Sequence, residues 1–341
     1  MQNPLKATTD LALDLGTVNT LICNDKSQIL LNEPSAVTVN HRLGCIEAVG
    51  SEARRMLGRT PGHLEVVWPL RDGVINHFDL TQEMLHRYLR KVSFGRGLFG
   101  SRLVICVPTE TTQIERRAVR ETGQALKASE VHVVEEPVAA ACGAGLEIAE
   151  PRGVMIVDVG GGTTEIAVIS FGGIVCSGSV RVGGTHMDEA IVMHVRRRHN
   201  LLIGHDTAER LKIELGCAMR PSNPAASAQV KGRDLVTQLP KVMSLTQEDV
   251  YEAISDQIGY ILNAIRRTLE RTPPELSGDI IRDGITLAGG GAMLPGLAER
   301  IGRECGLLAH IAETPLLTVA LGASKLLKNR ALLERVQLQG V

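Results

Sequence analysis

The sequence predicts an α/β protein made of two related domains. Short β-rich runs alternate with helix-like stretches, and one motif at the end of a strand occurs twice, far apart in the chain. Alternation of this kind is typical of α/β proteins whose central strands are mostly parallel. A motif repeated at such a separation indicates two domains of common design. The strand-like runs are LALDL (11–15), RLVICVP (102–108), VHVVEE (131–136), GVMIVDV (153–159) and GITLAGG (284–290).

Helix-like stretches lie between these strands. They read TTQIERRAVRETGQALKA, PVAAACGAGLEI and HMDEAIVMHVRRRHN. In the first of them, Val119, Thr122 and Leu126 recur at helical spacing and form a core stripe that leaves Ile114 outside. A longer helix is predicted from Thr246, where TQED resembles an N-cap with acidic first-turn residues, and the Pro-Pro pair at 273–274 ends it.

The repeated motif consists of Asp, an apolar residue, Gly, three residues and Thr, with an apolar strand on each side. It occurs as DLGTVNT (14–20) and as DVGGGTT (158–164). Glycines in a strand–turn–strand let backbone N–H groups approach an anion and form a phosphate-binding nest. Asp14 and Asp158 end their strands in positions suited to a hydrated Mg²⁺ ion. One copy alone would be an ordinary turn, but two matched copies predict hairpins that hold one polyphosphate between the domains.

A third glycine cluster, LAGGGAMLPGLAERI (287–301), leads from a strand into a helix. Turns of this kind often receive nucleotides, because a flat base or ribose can lie on bare backbone. The cluster is a weak signal alone. Together with the paired hairpins it fits the adenosine end of the same ligand.

The composition excludes several classes of protein. A formal net charge of -1 argues against a general nucleic-acid binder, which would carry a basic excess. The first ten residues contain no apolar run, so we expect no signal peptide. The sequence also lacks a run of about eighteen apolar residues, so we expect no membrane-spanning helix. Seven cysteines without any CxxC pair favour buried, reduced thiols in a cytosolic protein over disulfides or zinc.

These motifs are similar to the phosphate, connecting and adenosine motifs of the actin and sugar-kinase ATPase superfamily. The segments DLGTVNT, EEPVAAACGAG, VDVGGGTTEIAVIS and LAGGGAML carry that resemblance. Within the superfamily, the chain resembles the MreB/Mbl family of bacterial actins. That closer resemblance rests on GRTPGHLEVVWPLRDGVINHFDLTQEML (58–85), VPTETTQIERRAVRET, TAERLKIELGCA and PPELSGDI, and it extends from about Asp10 to Leu327.

The resemblance implies an actin-like ATPase fold, with two similar domains around a nucleotide cleft and a mixed central sheet flanked by helices in each. Domain I would comprise residues 1–145 and 316–341, with a small subdomain at about 33–98. Domain II would comprise residues 146–315, with a small subdomain at about 186–250.

The resemblance also implies that the cofactors are ATP and Mg²⁺, and it gives roles to individual residues. Glu136 and Thr163 would be catalytic, with Glu136 orienting the attacking water. Asp14 and Asp158 would hold Mg²⁺ through water. The implied ATP-binding residues are Thr17, Val18, Asn19, Gly160, Gly161, Gly162, Thr163, Glu209, Lys212, Gly289, Gly290, Gly291, Ala292 and Met293.

The residues around Glu136 permit two interpretations. Glu136 closes the predicted strand 131–136 and precedes Pro137, so its side chain is expected to face the cleft. Alternatively, Glu135 and Glu136 cap the following helix, whose first position suits Pro137. Both interpretations hold if one glutamate orients the water and the other caps the helix.

Ile114 is a candidate for filament pairing. It lies beside Glu115, Arg116 and Arg117, and the equivalent helix of the resembled family pairs two antiparallel protofilaments. An exposed β-branched side chain amid charges suits such a contact, although single exposed apolar residues are also common.

The segment FGRGLFG (94–100) has a similar double interpretation. It lies where the resembled family carries a small membrane-inserting loop, so Phe94, Leu98 and Phe99 would enter the membrane. Arg96 and Arg102, with Lys91 nearby, would then face anionic head groups. Alternatively, the apolar side chains fold back onto the domain as a local plug.

The implied function is that of a cytoskeletal ATPase of weak turnover. It would form membrane-associated filaments in the cytoplasm, at the inner face of the cell membrane, that determine cell shape and organise cell-wall synthesis. Its implied partners are further copies of the chain, an anionic membrane surface and cell-elongation membrane proteins, without nucleic acid. The alternatives are a sugar-type small-molecule kinase, for which we find no spare Asp beside the hairpins, and a non-polymerising paralogue.

Overall fold

The fold is taken from a computed structural model of the chain, which describes residues 10–93, 100–223 and 225–337. The chain divides into two compact units. Unit 1 contains Met1–Arg152, Ile169–Ile174 and Leu317–Val341, and unit 2 contains Gly153–Val168 and Val175–Leu316.

Unit 1 begins with strands and ends with helices. Its strands are β1 (Leu11–Leu15), β2 (Asn19–Asn24), β3 (Ile29–Pro34), β4 (Val37–Asn40), β5 (Cys45–Val49), β6 (Leu64–Val67), β7 (Leu70–Arg71), β8 (Val74–Ile75), β9 (Arg102–Val107) and β10 (Glu130–Glu135). Its helices are α1 (Ser51–Met56), α2 (Phe78–Val92), α3 (Gln113–Ala125) and α4 (Glu136–Gly143), followed after unit 2 by α10 (Thr318–Lys328) and α11 (Arg330–Val336).

The main sheet of unit 1 has the strand order β10–β9–β1–β2–β3. β1 pairs parallel with β9, and β9 pairs parallel with β10, whereas β2 runs antiparallel to both β1 and β3. The sheet is therefore mixed, with the parallel strands on one side. Strands buried on both faces read as continuous apolar runs, which is why LALDL and RLVICV could be recognised in the sequence.

Helices α4 and α10 of unit 1 pack with their backbones in close approach. A Cβ on Gly143 would overlap the carbonyl group of Thr318, and a Cβ on Gly322 would overlap that of Ala139. Glycine at both positions lets the two helices lie closer than larger side chains would allow. This packing places the last long helix against the helix that begins at Glu136.

A smaller sheet of unit 1 has the order β5–β4–β6. Its edge strand β5 begins at Cys45, which is exposed, because side chains on an edge strand lack a neighbour on one side. The expectation of buried cysteines is therefore wrong for Cys45, whereas Cys23, Cys106, Cys142 and Cys176 are buried.

Unit 2 alternates strands and helices more regularly. Its strands are β11 (Val154–Val159), β12 (Thr164–Ser170), β13 (Gly173–Val180), β14 (Leu201–Leu202), β15 (Ser227–Asp234), β16 (Pro240–Thr246), β17 (Ile285–Ala288) and β18 (Ala309–Ile311), with the ends of β12 and β13 counted in unit 1. Its helices are α5 (Gly184–His199), α6 (His205–Leu215), α7 (Gln247–Glu270), α8 (Pro274–Asp283) and α9 (Leu297–Cys305).

The main sheet of unit 2 has the order β13–β12–β11–β17–β18, with β11, β17 and β18 parallel. A smaller antiparallel sheet has the order β14–β15–β16. Because β11 and β17 run in the same direction, the residues that follow them meet at one edge of the sheet. Ligands of open α/β sheets bind at that carboxyl edge.

The long helix α7 begins and ends as the sequence predicts. Thr246 is its N-cap, and a capping box joins Thr246 to Asp249 in both directions. The apolar side chains that it buries recur at helical spacing. They are Val250, Ile254, Ile258, Ile261, Leu262 and Ile265. Within residues 10–93, 100–223 and 225–337, we find no helix that combines the length and apolar character needed to cross a membrane.

One predicted strand end is wrong. β10 ends at Glu135, and Glu136 is the first residue of α4 rather than the last residue of the strand. Pro137 is therefore the second helical residue, where its missing N–H group costs no intrahelical hydrogen bond.

Candidate functional site

The first glycine turn joins β1 to β2 in unit 1. Leu15 pairs with Thr20 across the hairpin, so residues 16–19 form the turn. A Cβ on Gly16 would lie 2.7 Å from the carbonyl oxygen of Asn19. The turn is therefore too tight for a side chain at Gly16, which explains glycine in the motif.

Ser35 holds this turn from one side. Its hydroxyl group donates to the carbonyl oxygen of Gly16 at 2.7 Å, and its N–H group donates to that of Val18 at 2.8 Å. In a trans peptide the C=O and the following N–H point in opposite directions. The N–H groups of Thr17 and Asn19 consequently point away from Ser35, in an arrangement suited to an anion.

Asp14 lies beside this turn, at the carboxyl edge of the unit 1 sheet. It pairs with Cys106 in the parallel register of β1 and β9. Burial raises the pKa of Asp14 to about 7. Burial raises the pKa of the Cys106 thiol well above its usual value, and the negative charges of Asp14 and Glu136 raise it further. Both carboxyl groups thus act on the same buried thiol, and unit 1 brings two of the predicted site residues together.

Glu136 is buried, with 9% of its surface exposed, at the start of α4. The positions of both glutamates agree with the capping alternative, since Glu135 precedes the first helical residue and Glu136 lies in the first turn. Glu135 occupies the N-cap position without a side-chain cap bond, and its carboxylate lies 3.8 Å from the Arg116 guanidinium. Glu136 lies in the first turn of α4, at the positive end of the helix dipole.

The second glycine turn joins β11 to β12 in unit 2 and is also closed by its own backbone. The N–H group of Gly160 donates to the carbonyl oxygen of Thr163 at 2.9 Å. The carbonyl oxygens of Gly160 and Gly161 accept from the start of α5, through the N–H groups of Gly184 at 3.0 Å and Thr185 at 2.9 Å.

These carbonyl contacts fix the direction of the loop amides. The Thr185 hydroxyl group also donates to Gly161 at 2.8 Å. Because the carbonyls of Gly160 and Gly161 point toward α5, the N–H groups of Gly161 and Gly162 point away from it. A Cβ on Gly183 would lie 2.5 Å from the Gly161 oxygen, so the approach requires glycine there. Unit 2 therefore presents the same kind of amide nest as unit 1.

Lys212 supports this second turn from behind. Its ammonium group donates to the carbonyl oxygen of Gly184 at 2.8 Å and forms an ion pair with Asp188 at 2.9 Å. Burial raises the pKa of Asp188 to about 6, and the charge of Lys212 limits that rise. In this structure Lys212 thus stabilises the start of α5. Glu209 lies one helical turn earlier on α6.

The third glycine cluster follows β17 at the same edge of the unit 2 sheet. Gly289 has a φ of 81° and donates to the carbonyl oxygen of Pro315 at 2.9 Å. A Cβ there would overlap the Asp158 carboxylate and the Val159 carbonyl group. Residues 290–293 form a short 3₁₀ turn in which Ala292 is buried and Met293 is 53% exposed.

Within each unit, the residues described above fit phosphate groups and a hydrated divalent cation. Each hairpin combines an amide nest with an aspartate at its strand end, and a cation beside Asp14 would favour the charged carboxylate that burial disfavours. Gly289 lies against Asp158, so the glycine cluster and the second hairpin are neighbours within unit 2. The backbone thus offers anion contacts beside a carboxylate in each unit.

Two surface predictions have different outcomes. Ile114 is 82% exposed, as its position outside the core stripe predicts. Phe94, Leu98, Phe99 and Arg96 lie outside the described residues.

The proposed head-group role of Arg102 is wrong. Its guanidinium forms an ion pair with Asp10 at 2.6 Å and donates to the carbonyl oxygen of Leu327, with only 26% of the side chain exposed. Lys91 pairs with Glu33 at 2.8 Å, although its side chain is 65% exposed. Of these two cations, only Lys91 presents its side chain to solvent.

Three residues that support the turns were not predicted as site residues. They are Ser35, Thr185 and Asp188. For Thr185, a signal exists in the sequence GGT at 183–185, since paired glycines before a helix indicate close backbone approach. Ser35 and Asp188 act through contacts distant in sequence, which no local pattern reveals.

Comparisons with known proteins agree with this architecture. The family model described as MreB/Mbl protein matches residues 8–335. The cell shape-determining protein MreB of Escherichia coli (strain K12) is 45% identical over 324 residues, which cover 94% of this chain and 93% of that protein. The cell shape-determining protein Mbl of Bacillus subtilis (strain 168) is 43% identical over 321 residues, covering 94% and 96%.

Solved structures of MreB5 of Spiroplasma citri are similar over nearly the whole chain. The structure bound to ADP has a TM-score of 0.90 at 34% identity and covers 95% of this chain and 97% of that chain. The structure bound to AMPPNP has a TM-score of 0.89 at 34% identity, with coverages of 96% and 98%. The fold is therefore actin-like, and the chain belongs to the MreB/Mbl family of cell shape-determining proteins.

Proposed function

We propose that this chain binds ATP with Mg²⁺, hydrolyses it slowly and assembles into filaments that determine cell shape. The observation that carries the proposal is the matched pair of glycine turns. In each, supporting contacts turn the loop amides outward, and an aspartate lies at the end of the preceding strand. The nucleotides in the two MreB5 structures support the same ligand class for this chain.

The phosphate groups would be held by the amides of both hairpins. Thr17, Val18 and Asn19 provide the first turn, and residues 160–163 the second. Asp14 and Asp158 would bind Mg²⁺ through water, and the ion would offset charge on the phosphoryl oxygens. Gly289 and residues 290–293 would receive the adenosine, with Glu209 and Lys212 on the neighbouring helix.

Hydrolysis requires a water molecule that is held in line with the terminal phosphorus atom. Glu136 suits this role because it is buried, lies in the first turn of α4 and, like Asp14, lies near the Cys106 thiol. As a carboxylate it accepts a hydrogen bond from water and orients the oxygen lone pair. Thr163 would complete the site from the second hairpin. A site that orients the water but has no strong base to remove its proton is consistent with slow turnover.

Two arguments support filament formation: the relatives' role in cell shape, and the predicted contact residues on α3 and in segment 94–99. The relatives named above are cell shape-determining proteins, which supports a cytoskeletal role for this chain. Ile114 on α3 would pair antiparallel protofilaments, and residues 94–99 would attach filaments to an anionic membrane. In this proposal the filament lies in the cytoplasm, at the inner face of the membrane, and organises cell-wall synthesis with cell-elongation membrane proteins.

Two measurements on the purified chain test the proposal. Phosphate release with ATP and Mg²⁺ is expected, together with sedimentation of polymer that depends on both. A parallel reaction with a glucose-type acceptor distinguishes the kinase alternative, since a kinase would transfer the phosphoryl group to the sugar. Phosphoryl transfer without polymer would overturn the proposal, and nucleotide binding without polymer would indicate a non-polymerising paralogue.

A further inference from the structure

A second cluster of ligating side chains lies in unit 2, on residues that the nucleotide site does not use. His194 and His199 lie on the last two turns of α5, and Asp249 lies in the first turn of α7. One potential ligand atom from each residue lies within 4.8 Å of the others. Two imidazoles and a carboxylate form a donor set that binds divalent transition metals.

The distances are close to those of a metal site. The Nε2 atom of His199 lies 3.3 Å from Oδ1 of Asp249, and Nε2 of His194 lies 3.8 Å from the same oxygen. Zinc bonds to nitrogen and oxygen of about 2.0 Å place neighbouring ligands of a tetrahedral site roughly 3.3 Å apart. Small side-chain rotations would therefore suffice to place all three donors around one ion.

Asp249 is fixed in an orientation that leaves one oxygen for this cluster. Its Oδ2 atom accepts from the N–H group of Thr246 at 2.9 Å and from the Thr246 hydroxyl group at 2.6 Å. Its Oδ1 atom is the one that faces both histidines. The capping box thus positions the carboxylate before any ion binds, which lowers the cost of binding.

The side chain of His194 gives an independent indication of a metal site. Its Nε2 atom is buried and has no hydrogen-bond partner among the described residues. A buried polar atom without a partner costs free energy, typically about 1–3 kcal/mol. The same side chain lines a cavity of about 610 Å³ between α5 and α7. A metal ion at this nitrogen would satisfy it.

Arg198 is the cation closest to the cluster and would oppose a second positive charge. Its Nε atom lies 3.7 Å from Oδ1 of Asp249, but its Nη1 atom forms a shorter ion pair with Glu252 at 3.1 Å. The Arg198 side chain is 59% exposed, so it can withdraw from Asp249 and remain paired with Glu252. The acidic groups of the same cavity include Glu189 and Asp256.

We propose that His194, His199 and Asp249 bind one Zn²⁺ ion that joins the end of α5 to the start of α7. The site has three protein ligands and leaves a fourth position for water. Magnesium and calcium are excluded as occupants because they prefer oxygen donors, whereas imidazole selects transition metals. The ion would brace α5, whose first residues hold the second glycine turn, against α7 and would take no part in hydrolysis.

The experiment measures Zn²⁺ binding to the metal-free, full-length chain by competition with a chromophoric chelator. We expect one ion per chain at micromolar affinity or tighter, and at least tenfold weaker binding for His194→Gln combined with His199→Gln. The matched control is His63→Gln combined with His86→Gln, two histidines of unit 1 away from the cluster. Circular dichroism and ATP binding establish that each variant is folded.

Cobalt substitution distinguishes metal binding at this site from metal binding by cysteine thiolates. Co²⁺ bound to imidazole and carboxylate gives visible d–d bands without the near-ultraviolet thiolate charge-transfer band. We expect the d–d bands in the parent and in a Cys45→Ser variant, and their loss in the double histidine variant. A thiolate band, equal binding by the double histidine variant, or no binding by the parent would each overturn the proposal.

Discussion

Lys212 and Asp188 form an ion pair of 2.9 Å that joins α6 to α5 behind the second glycine turn. The same ammonium group donates a hydrogen bond to the carbonyl oxygen of Gly184. The N–H group of Gly184 in turn donates to the carbonyl oxygen of Gly160. A chain of three contacts thus connects a helix side chain to the turn that would bind phosphate. Both side chains are largely buried, at 16% and 10% exposure, so the pair is screened little by solvent.

Lys212→Met is expected to destabilise the protein by about 3 kcal/mol, because it leaves the buried Asp188 carboxylate without its partner. ATP affinity should fall as well, since Gly184 would no longer be held. Urea unfolding and nucleotide titration measure the two effects. Adding Asp188→Asn to Lys212→Met should recover part of the stability. If the double variant is as unstable as the sum of the single variants, the two residues are not coupled.

Gly289→Ala is expected to weaken ATP binding at least tenfold. A methyl group there would overlap Asp158 and Val159, so the glycine cluster and the second hairpin could not keep their contact. Gly306→Ala is the matched control, because Gly306 also has a positive φ but has nothing within 4 Å of its Cβ position. It should cost about 1 kcal/mol of stability through backbone strain and leave ATP affinity unchanged. Equal ATP affinities for the two variants would count against the placement of adenosine.

Much of the fold could be predicted from the sequence, because its central strands are buried on both faces and read as unbroken apolar runs. The two hairpins could be recognised for a related reason. A tight turn of this kind requires glycine, as the close contact of Gly16 with Asn19 shows. These requirements act within a few residues and therefore leave a local pattern.

The remaining features depend on contacts between distant segments. Ser35 supports the first turn from 19 residues away, and Lys212 reaches Gly184 across 28 residues. The side chain of Arg102 resembled a surface cation in the sequence but pairs with Asp10, 92 residues earlier. Glu136 ends the β-rich run VHVVEE, yet the structure begins α4 at Glu136 and places Pro137 at the second helical position. Single-sequence patterns do not contain such information.

Ile114→Glu is expected to abolish paired filaments while ATP turnover per monomer stays intact. Ile114 is 82% exposed, so the substitution costs little stability, but a glutamate would place like charges against each other across an antiparallel contact. Electron micrographs of the parent, the variant and the conservative Ile114→Val control provide the measurement. Double filaments of normal appearance from Ile114→Glu would refute the pairing role.

Phe94→Ser combined with Phe99→Ser is expected to abolish flotation with anionic liposomes and to preserve ATP binding and filament formation. Each large side chain that enters the acyl region contributes about 2 kcal/mol, so one chain binds weakly and a filament binds firmly through repetition. Lys91→Ala, which removes an exposed cation near the segment, should reduce flotation only modestly. Should the double variant float as well as the parent, the apolar side chains form a local plug and attachment lies elsewhere.

The central claim is that the two glycine hairpins and Glu136 form an ATPase site. The most direct test is phosphate release by Glu136→Ala, with Glu135→Ala as the control, since Glu135 precedes it in the chain and faces Arg116 instead. We predict that Glu136→Ala binds ATP with Mg²⁺ as the parent does and releases phosphate at least tenfold more slowly, while Glu135→Ala stays near the parent rate. Undiminished phosphate release by Glu136→Ala would contradict the account.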